Sequence, residues 1–199
     1  MNRLDSTNQK ALHQLATESL RQGGVCILPT ETVHGIMALA SSFEARQRIY
    51  TMKQRDVSKQ LQILLPNVDC LSWLNIAITP DLEKLATFWP GGLTLVVDGP
   101  DGNSYGVRIP DHPWLQNVLL EVGEPVVATS ANASGHDPAD SLAAGFLDLA
   151  ESPDLIITAE LRDGEPSTVV RLENGDLTCL REGVIPYARL TACLDGGND

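Results

Sequence analysis

Four largely apolar runs of only four or five residues limit what this chain can fold into: "VCIL" (25–28), "LQILL" (61–65), "LTLVV" (93–97) and "PVVAT" (125–129). Each gives way to proline, a turn-rich segment or short polar residues. Runs of that length suit buried strands and are too short for buried helices. Between them the apolar spacing becomes helical. Ser6 to Gln9 fits a capping box, and Leu12, Leu15, Ala16 and Leu20 follow at helical intervals before Gly23 and Gly24. Ala45, Ile49 and Met52 recur at i, i+4 and i+7 between Phe43 and Lys53. Thr79 and Pro80 open a helix reaching Phe88, which "WPGG" stops. Asp111 is expected to cap a helix carrying Trp114, Leu115, Val118 and Leu119, and a further helix is expected near 139–150.

"LTLVV" and "YGVRI" (105–109) flank the turn-rich "DGPDGNS", which suits an antiparallel pair. "DLIIT", "STVVRL" and "LTCLRE" are three more short strand candidates. Strands alternating with helices, with hairpins among them, predict an α/β fold with a mixed sheet flanked by helices. At 199 residues and 43% hydrophobic content the chain can bury one sizeable core. We expect a single domain over 1–199, with its core in about 5–190 and a frayed tail over 191–199.

The first ten residues are polar, and no apolar run approaches the ~18 residues that cross a bilayer, so the expectation is a soluble, cytoplasmic protein without a membrane. Cys26, Cys70, Cys179 and Cys193 are scattered and read as reduced thiols. His13, His34, His112 and His136 are dispersed, and no metal-ligand spacing occurs, so no protein-bound metal is expected. A net charge of -12 opposes any non-specific grip on a nucleic-acid backbone.

The chain lacks both GxxxxGK[ST] and GxGxxG, so a phosphate site must be built from dispersed cations. "KQRDVSK" supplies Lys53, Arg55 and Lys59, suited equally to oxyanions and to the end of a helix, where cations are favoured. Arg108 stands inside "YGVRIP" where an apolar residue belongs, and Arg181 inside "LREG". "TSAN" (129–132) and Ser167 with Thr168 in "EPSTVV" put hydroxyls and amides at strand ends; such residues serve a ligand or an ordinary turn equally well. Glu31, Asp56 and Asp111 form no paired-carboxylate spacing, and no Ser, His and Asp set marks a hydrolase. His34, in "TETVHG", reads as a structural histidine.

In order, "LPTETVHG", "KQRDVSK", "WPGGLTLV", "GVRIPDHP", "VVATSANASG", "PSTVV" and "LREG" resemble the sequence milestones of the YrdC/Sua5 family, spanning residues 28 to 183. The resemblance implies a single twisted α/β domain with a concave, positively charged ligand cleft. It also implies L-threonylcarbamoyladenylate synthesis: L-threonine, bicarbonate and ATP give threonylcarbamoyl-AMP and pyrophosphate, for modification of adenosine 37 in tRNA. By motif, Lys53 and Arg55 would be catalytic. Lys53, Arg55, Lys59, Ser104, Asn132 and Arg181 would hold ATP, while Thr30, Thr32, Arg108, Ser130 and Ser167 would form the threonine end. Mg2+ would arrive with ATP, and tRNA threonylcarbamoyl transferase proteins would act downstream, with a possible weak tRNA contact.

Asp56 and Gln60 stand where this family commonly has prolines, and "GIMALAS" replaces a "GLGADA" type of sequence. Two alternatives therefore accompany the synthase: an RNA-binding or ribosome-maturation protein on the same fold, and a paralogue using another carbamate or acyl-adenylate.

Overall fold

Strand alternation divides the buried residues between the two faces of one sheet. In β2 (Cys26–Leu28), Ile27 joins one apolar cluster while Cys26 and Leu28 join the other. In β3 (Gly35–Leu39), Ile36 and Ala38 face the first cluster and Met37 and Leu39 the second. The strands are thus covered on both sides, which explains why their sequences read as continuous apolar runs.

The structure is a computed structural model that describes residues 2–131, 149–159 and 165–196. Its remaining strands are β1 (Asn2–Arg3), β4 (Gln62–Leu64), β5 (Leu93–Asp98), β6 (Ser104–Arg108), β7 (Val126–Ser130), β8 (Leu155–Thr158), β9 (Thr168–Glu173) and β10 (Asp176–Arg181). They form a ten-stranded mixed sheet in the order β1-β8-β2-β3-β7-β4-β6-β5-β9-β10. The expected antiparallel pair is β5 with β6, in register at Leu95 and Val107, and β4 runs parallel to β6.

Helices α1 (Gln9–Arg21) and α4 (Pro113–Val122) cover one face over β2, β3 and β7, burying Leu12, Ala16, Leu20, Trp114, Leu115, Val118 and Leu119. The opposite face carries α2 (Phe43–Lys53), a 3-10 helix (Val68–Leu74), α3 (Pro80–Ala86) and α5 (Tyr187–Leu194). None of the described helices is long and apolar enough to cross a membrane.

Local competition accounts for several departures from expectation. The capping box from Ser6 does not form: Asn8 is the N-cap of α1, and the Asp5 carboxylate takes the Thr7 and Asn8 N–H groups. At α4 the cap is His112, whose Nδ1 accepts from Leu115 N at 3.3 Å, displacing Asp111 from that role. β3 was not expected, and it supplies the link between β2 and β7. Residues 191–194, at the start of the expected tail, are helical. Helix α5 continues to Leu194 because Leu190 is fully buried and Lys84 Nζ caps the Leu194 carbonyl at 2.8 Å. The helix expected near 139–150 lies almost wholly outside the described residues.

Candidate active site

The face that carries α1 and α4 changes character beyond β7. On β4, β5, β6 and β7 the residues of that face include Gln62, Thr94, Val96, Gly106, Arg108, Ala128 and Ser130, and all of them line one cavity of about 460 Å³. Among the described residues no helix covers this half of the face. The volume falls within the ~300–1,000 Å³ range of small-molecule sites. Gly106 keeps the floor flat: a Cβ there would meet Thr94 and Val96 only at ordinary contact distances of 3.6 and 3.8 Å. Strand packing does not require glycine here, so the space above it is available to a ligand.

Arg55, Arg108 and Arg181 all line this cavity, and among the described residues its lining contains no carboxylate. Arg181 senses the other two: its pKa is lowered first by burial and then by the charges of Arg108 and Arg55. An anion would relieve that repulsion.

Two of the arginines are held by chains of hydroxyl groups. Arg108 Nη2 donates to Thr32 Oγ1 at 2.8 Å, and Thr32 and Thr30 hydroxyls lie 3.0 Å apart. Thr30 donates to the Val33 carbonyl at 2.7 Å, so the remaining proton must run from Thr32 to Thr30. On the other wall Arg181 Nη2 donates to Ser167 Oγ at 3.1 Å, Ser167 and Thr94 hydroxyls lie 2.8 Å apart, and Thr94 donates to Gln62 Oε1 at 3.0 Å. This fixes Ser167 as the donor to Thr94. Arg181 also donates twice to the Ser167 carbonyl. The chain can approach this closely because Gly183 follows, where a Cβ would collide with the Pro166 carbonyl and Ser167 backbone.

Arg108 alone of the three has a carboxylate partner among the described residues. Its Nη2 lies 2.6 Å from Glu31 Oε1, with both side chains almost fully buried, and its Nε donates to Gly91 O at 3.2 Å. Among the described residues Arg55 is anchored by backbone carbonyls, its Nε to Lys59 O at 3.0 Å and its Nη2 to Gln60 O at 3.1 Å.

Comparison with known proteins gives this arrangement a family. Residues 18–183 match the Sua5/YciO/YrdC family model, described as "Telomere recombination". The chain belongs to this family. The threonylcarbamoyl-AMP synthase of Chromohalobacter salexigens is 32% identical over 173 residues, covering 81% of this chain and 92% of that one. The crystal structure of P. abyssi Sua5 complexed with L-threonine superposes with a TM-score of 0.85 at 29% identity, covering 98% of this chain and 60% of that chain. This chain therefore spans about 60% of the P. abyssi protein's length. E. coli YciO, at 23% identity, shares the fold with a TM-score of 0.78 over 93% of this chain and 95% of its own.

Within this Sua5/YciO/YrdC frame the expected site residues divide into three groups. Arg55, Arg108, Ser130, Ser167 and Arg181 meet at the cavity. Thr30, Thr32 and Lys53 stand behind its wall. Thr32 is fully buried and acts on Arg108, while Lys53 Nζ donates to Ser130 O and, at 3.2 Å, to Thr129 Oγ1. Burial, with Arg55 adding to it, pushes the Lys53 pKa down to about 7.

Lys59 and Ser104 are not among the described residues that line the cavity. Lys59 is exposed on a loop closed over Arg55, and the Ser104 hydroxyl is taken by Asp98 and Arg171 at 2.7 and 3.1 Å. Asn132 lies outside the described residues. The Asp56 departure places no carboxylate in the cavity, since Asp56 is exposed and accepts from Ser58 N at 2.9 Å, whereas Gln60 is part of the lining. His34 is buried outside the cavity lining. Its Nε2 accepts from Ala159 N at 3.2 Å, and burial, helped by His112, pulls its pKa down to about 4.

Sequence reading missed Glu31, Thr94 and Gln62. The signals were present: a buried arginine in "GVRIP" needs a counter-charge. Thr94 in "LTLVV" and Gln62 in "LQILL" are the single polar residue of each run, and strand alternation turns each away from its apolar neighbours to the opposite face.

Proposed function

We propose that this chain is an L-threonylcarbamoyladenylate synthase, converting L-threonine, bicarbonate and ATP into threonylcarbamoyl-AMP, pyrophosphate and water. The observation that carries the reading is the meeting of Arg55, Arg108 and Arg181 in one cavity, in a chain of this family. The relatives named as threonylcarbamoyl-AMP synthases and the threonine complex of P. abyssi Sua5 support it.

Arg108 takes the threonine carboxylate, using the part of its guanidinium that Glu31, Thr32 and Gly91 leave open. Arg55 and Arg181 hold the ATP phosphates. Threonine nitrogen and bicarbonate form a carbamate, one oxygen of which attacks the α-phosphorus. The bond to the β-phosphate breaks, and pyrophosphate leaves with charge that the two arginines stabilise. Ser130 and Ser167 offer hydroxyls between the two ends, and Lys53 holds the Ser130 strand end in place. Magnesium would arrive on the nucleotide phosphates, the usual way this ion is bound in phosphate-transfer sites. The adenylate supplies proteins that modify adenosine 37 of tRNA in the cytoplasm.

The test incubates purified protein with L-threonine, bicarbonate, ATP and Mg2+ and measures pyrophosphate and threonylcarbamoyl-AMP. Threonine-dependent release of both is expected; pyrophosphate release that ignores threonine, or none at all, overturns the proposal.

A further inference from the structure

The cavity contains two kinds of arginine. Arg108 is 2% exposed and paired with a buried carboxylate, whereas Arg55 and Arg181 are more exposed and rest on backbone carbonyls or a serine hydroxyl. A carbonyl accepts a hydrogen bond without cancelling charge; a carboxylate cancels it. A polyphosphate is attracted by net charge, while a single carboxylate can use the directed donors of a guanidinium even when its charge is largely balanced.

Glu31 is an expensive way merely to orient Arg108. Its Oε2 is buried and has no hydrogen-bond partner among the described residues, and a half-satisfied buried carboxylate costs stability. Thr32 and Gly91 already orient the same guanidinium without charge. The feature that only Glu31 contributes is its negative charge.

We propose that Glu31 is an anion filter, a specificity-determining residue acting through Arg108: it lowers the net charge at the amino-acid end of the cavity so that polyphosphate settles on Arg55 and Arg181. Without Glu31, pyrophosphate or the ATP tail would occupy the amino-acid end and exclude threonine. The inference rests on the assignment of the threonine carboxylate to Arg108, but its charge-sorting core can be read without any synthesis.

The experiment measures binding of inorganic pyrophosphate by calorimetry, with and without saturating L-threonine. Wild type is expected to bind both together. Glu31→Gln should bind pyrophosphate about ten-fold more tightly, as expected for one uncompensated cation, and threonine should now compete with it. Arg181→Gln should lose about ten-fold in pyrophosphate affinity. The double variant Glu31→Gln with Arg108→Gln removes both charges and should stay within about two-fold of wild type. Where the single variant does not fold, the double variant carries the test. Glu31→Gln affinity equal to or weaker than wild type, or a double variant as weak as Arg181→Gln, overturns the filter. Wild type that binds pyrophosphate but not threonine would instead count against the synthase reading, leaving the pyrophosphate comparison valid.

Discussion

The cavity is bounded by two loops of opposite construction. Residues 29–34, "PTETVH", are all buried, and their hydroxyl and carboxylate groups are used within the protein to hold Arg108. Residues 54–60, "QRDVSKQ", are exposed apart from a half-buried Arg55, and the loop is braced on itself through Arg55 and Asp56. The first wall fixes a donor in place at the expense of local stability. The second presents a cation from a segment that contributes little to the core. Substitutions in the buried wall should therefore disturb fold and ligand together, and those in the exposed wall ligand alone.

The largest effect is expected from Arg108→Ala. It strands Glu31 as an unpaired buried charge, and breaking such a pair costs roughly 3–5 kcal/mol. Denaturant titration should show that loss together with abolished threonine binding. A stability change within ~0.5 kcal/mol of wild type, the usual range for surface substitutions, would place Arg108 in the same class as the exposed wall.

Next comes Thr32→Val, which keeps the shape and removes one hydroxyl. One Arg108 N–H then loses its acceptor, at about 1–3 kcal/mol. Threonine affinity should fall with ATP affinity nearly unchanged. If calorimetry showed equal losses for both ligands, the hydroxyl chain would not be specific to Arg108.

How much of this contrast the sequence revealed depends on whether a feature is local. The short apolar runs, the Thr79 cap and the hairpin between β5 and β6 follow from neighbouring residues and were readable. β3 was not, because "GIMAL" combines a glycine with a continuous apolar run and only its pairing with β2 and β7 makes it a strand. The arginines were legible as cations out of place. Their partners were not, since Glu31 meets Arg108 across 77 positions and Thr94 meets Ser167 across 73. Ser104 shares the cavity face of β6 with Gly106 and Arg108 by strand alternation, but the Arg171 that donates to its hydroxyl lies 67 positions away and could not be read from the motif.

Arg55→Ala tests the exposed wall. Its anchors are the Lys59 and Gln60 carbonyls, which solvent can satisfy once the side chain is gone. Stability should stay within ~0.5 kcal/mol of wild type while ATP affinity falls about ten-fold. An unchanged ATP isotherm would remove Arg55 from the phosphate end, and a large loss of stability would erase the distinction between the walls.

The smallest effect belongs to the junction of the two walls. Lys53 is the last residue of α2 and is 3% exposed, yet the exposed loop begins immediately after it. Its pKa is pushed down from 10.5 to about 7 by burial first and Arg55 second. The unfolded chain keeps this proton up to its ordinary value, whereas the folded chain gives it up near 7. Between those values the unfolded state binds more protons, so the contribution of this group to stability rises with pH; below about 7 both states are charged and the full penalty of burying the cation applies. Urea titrations of wild type and Lys53→Met at pH 6.5 and 9 should show wild type gaining stability relative to the variant at the higher pH. A difference that does not change with pH would mean that Lys53 keeps its ordinary pKa, and that the buried wall ends before α2 delivers its last side chain.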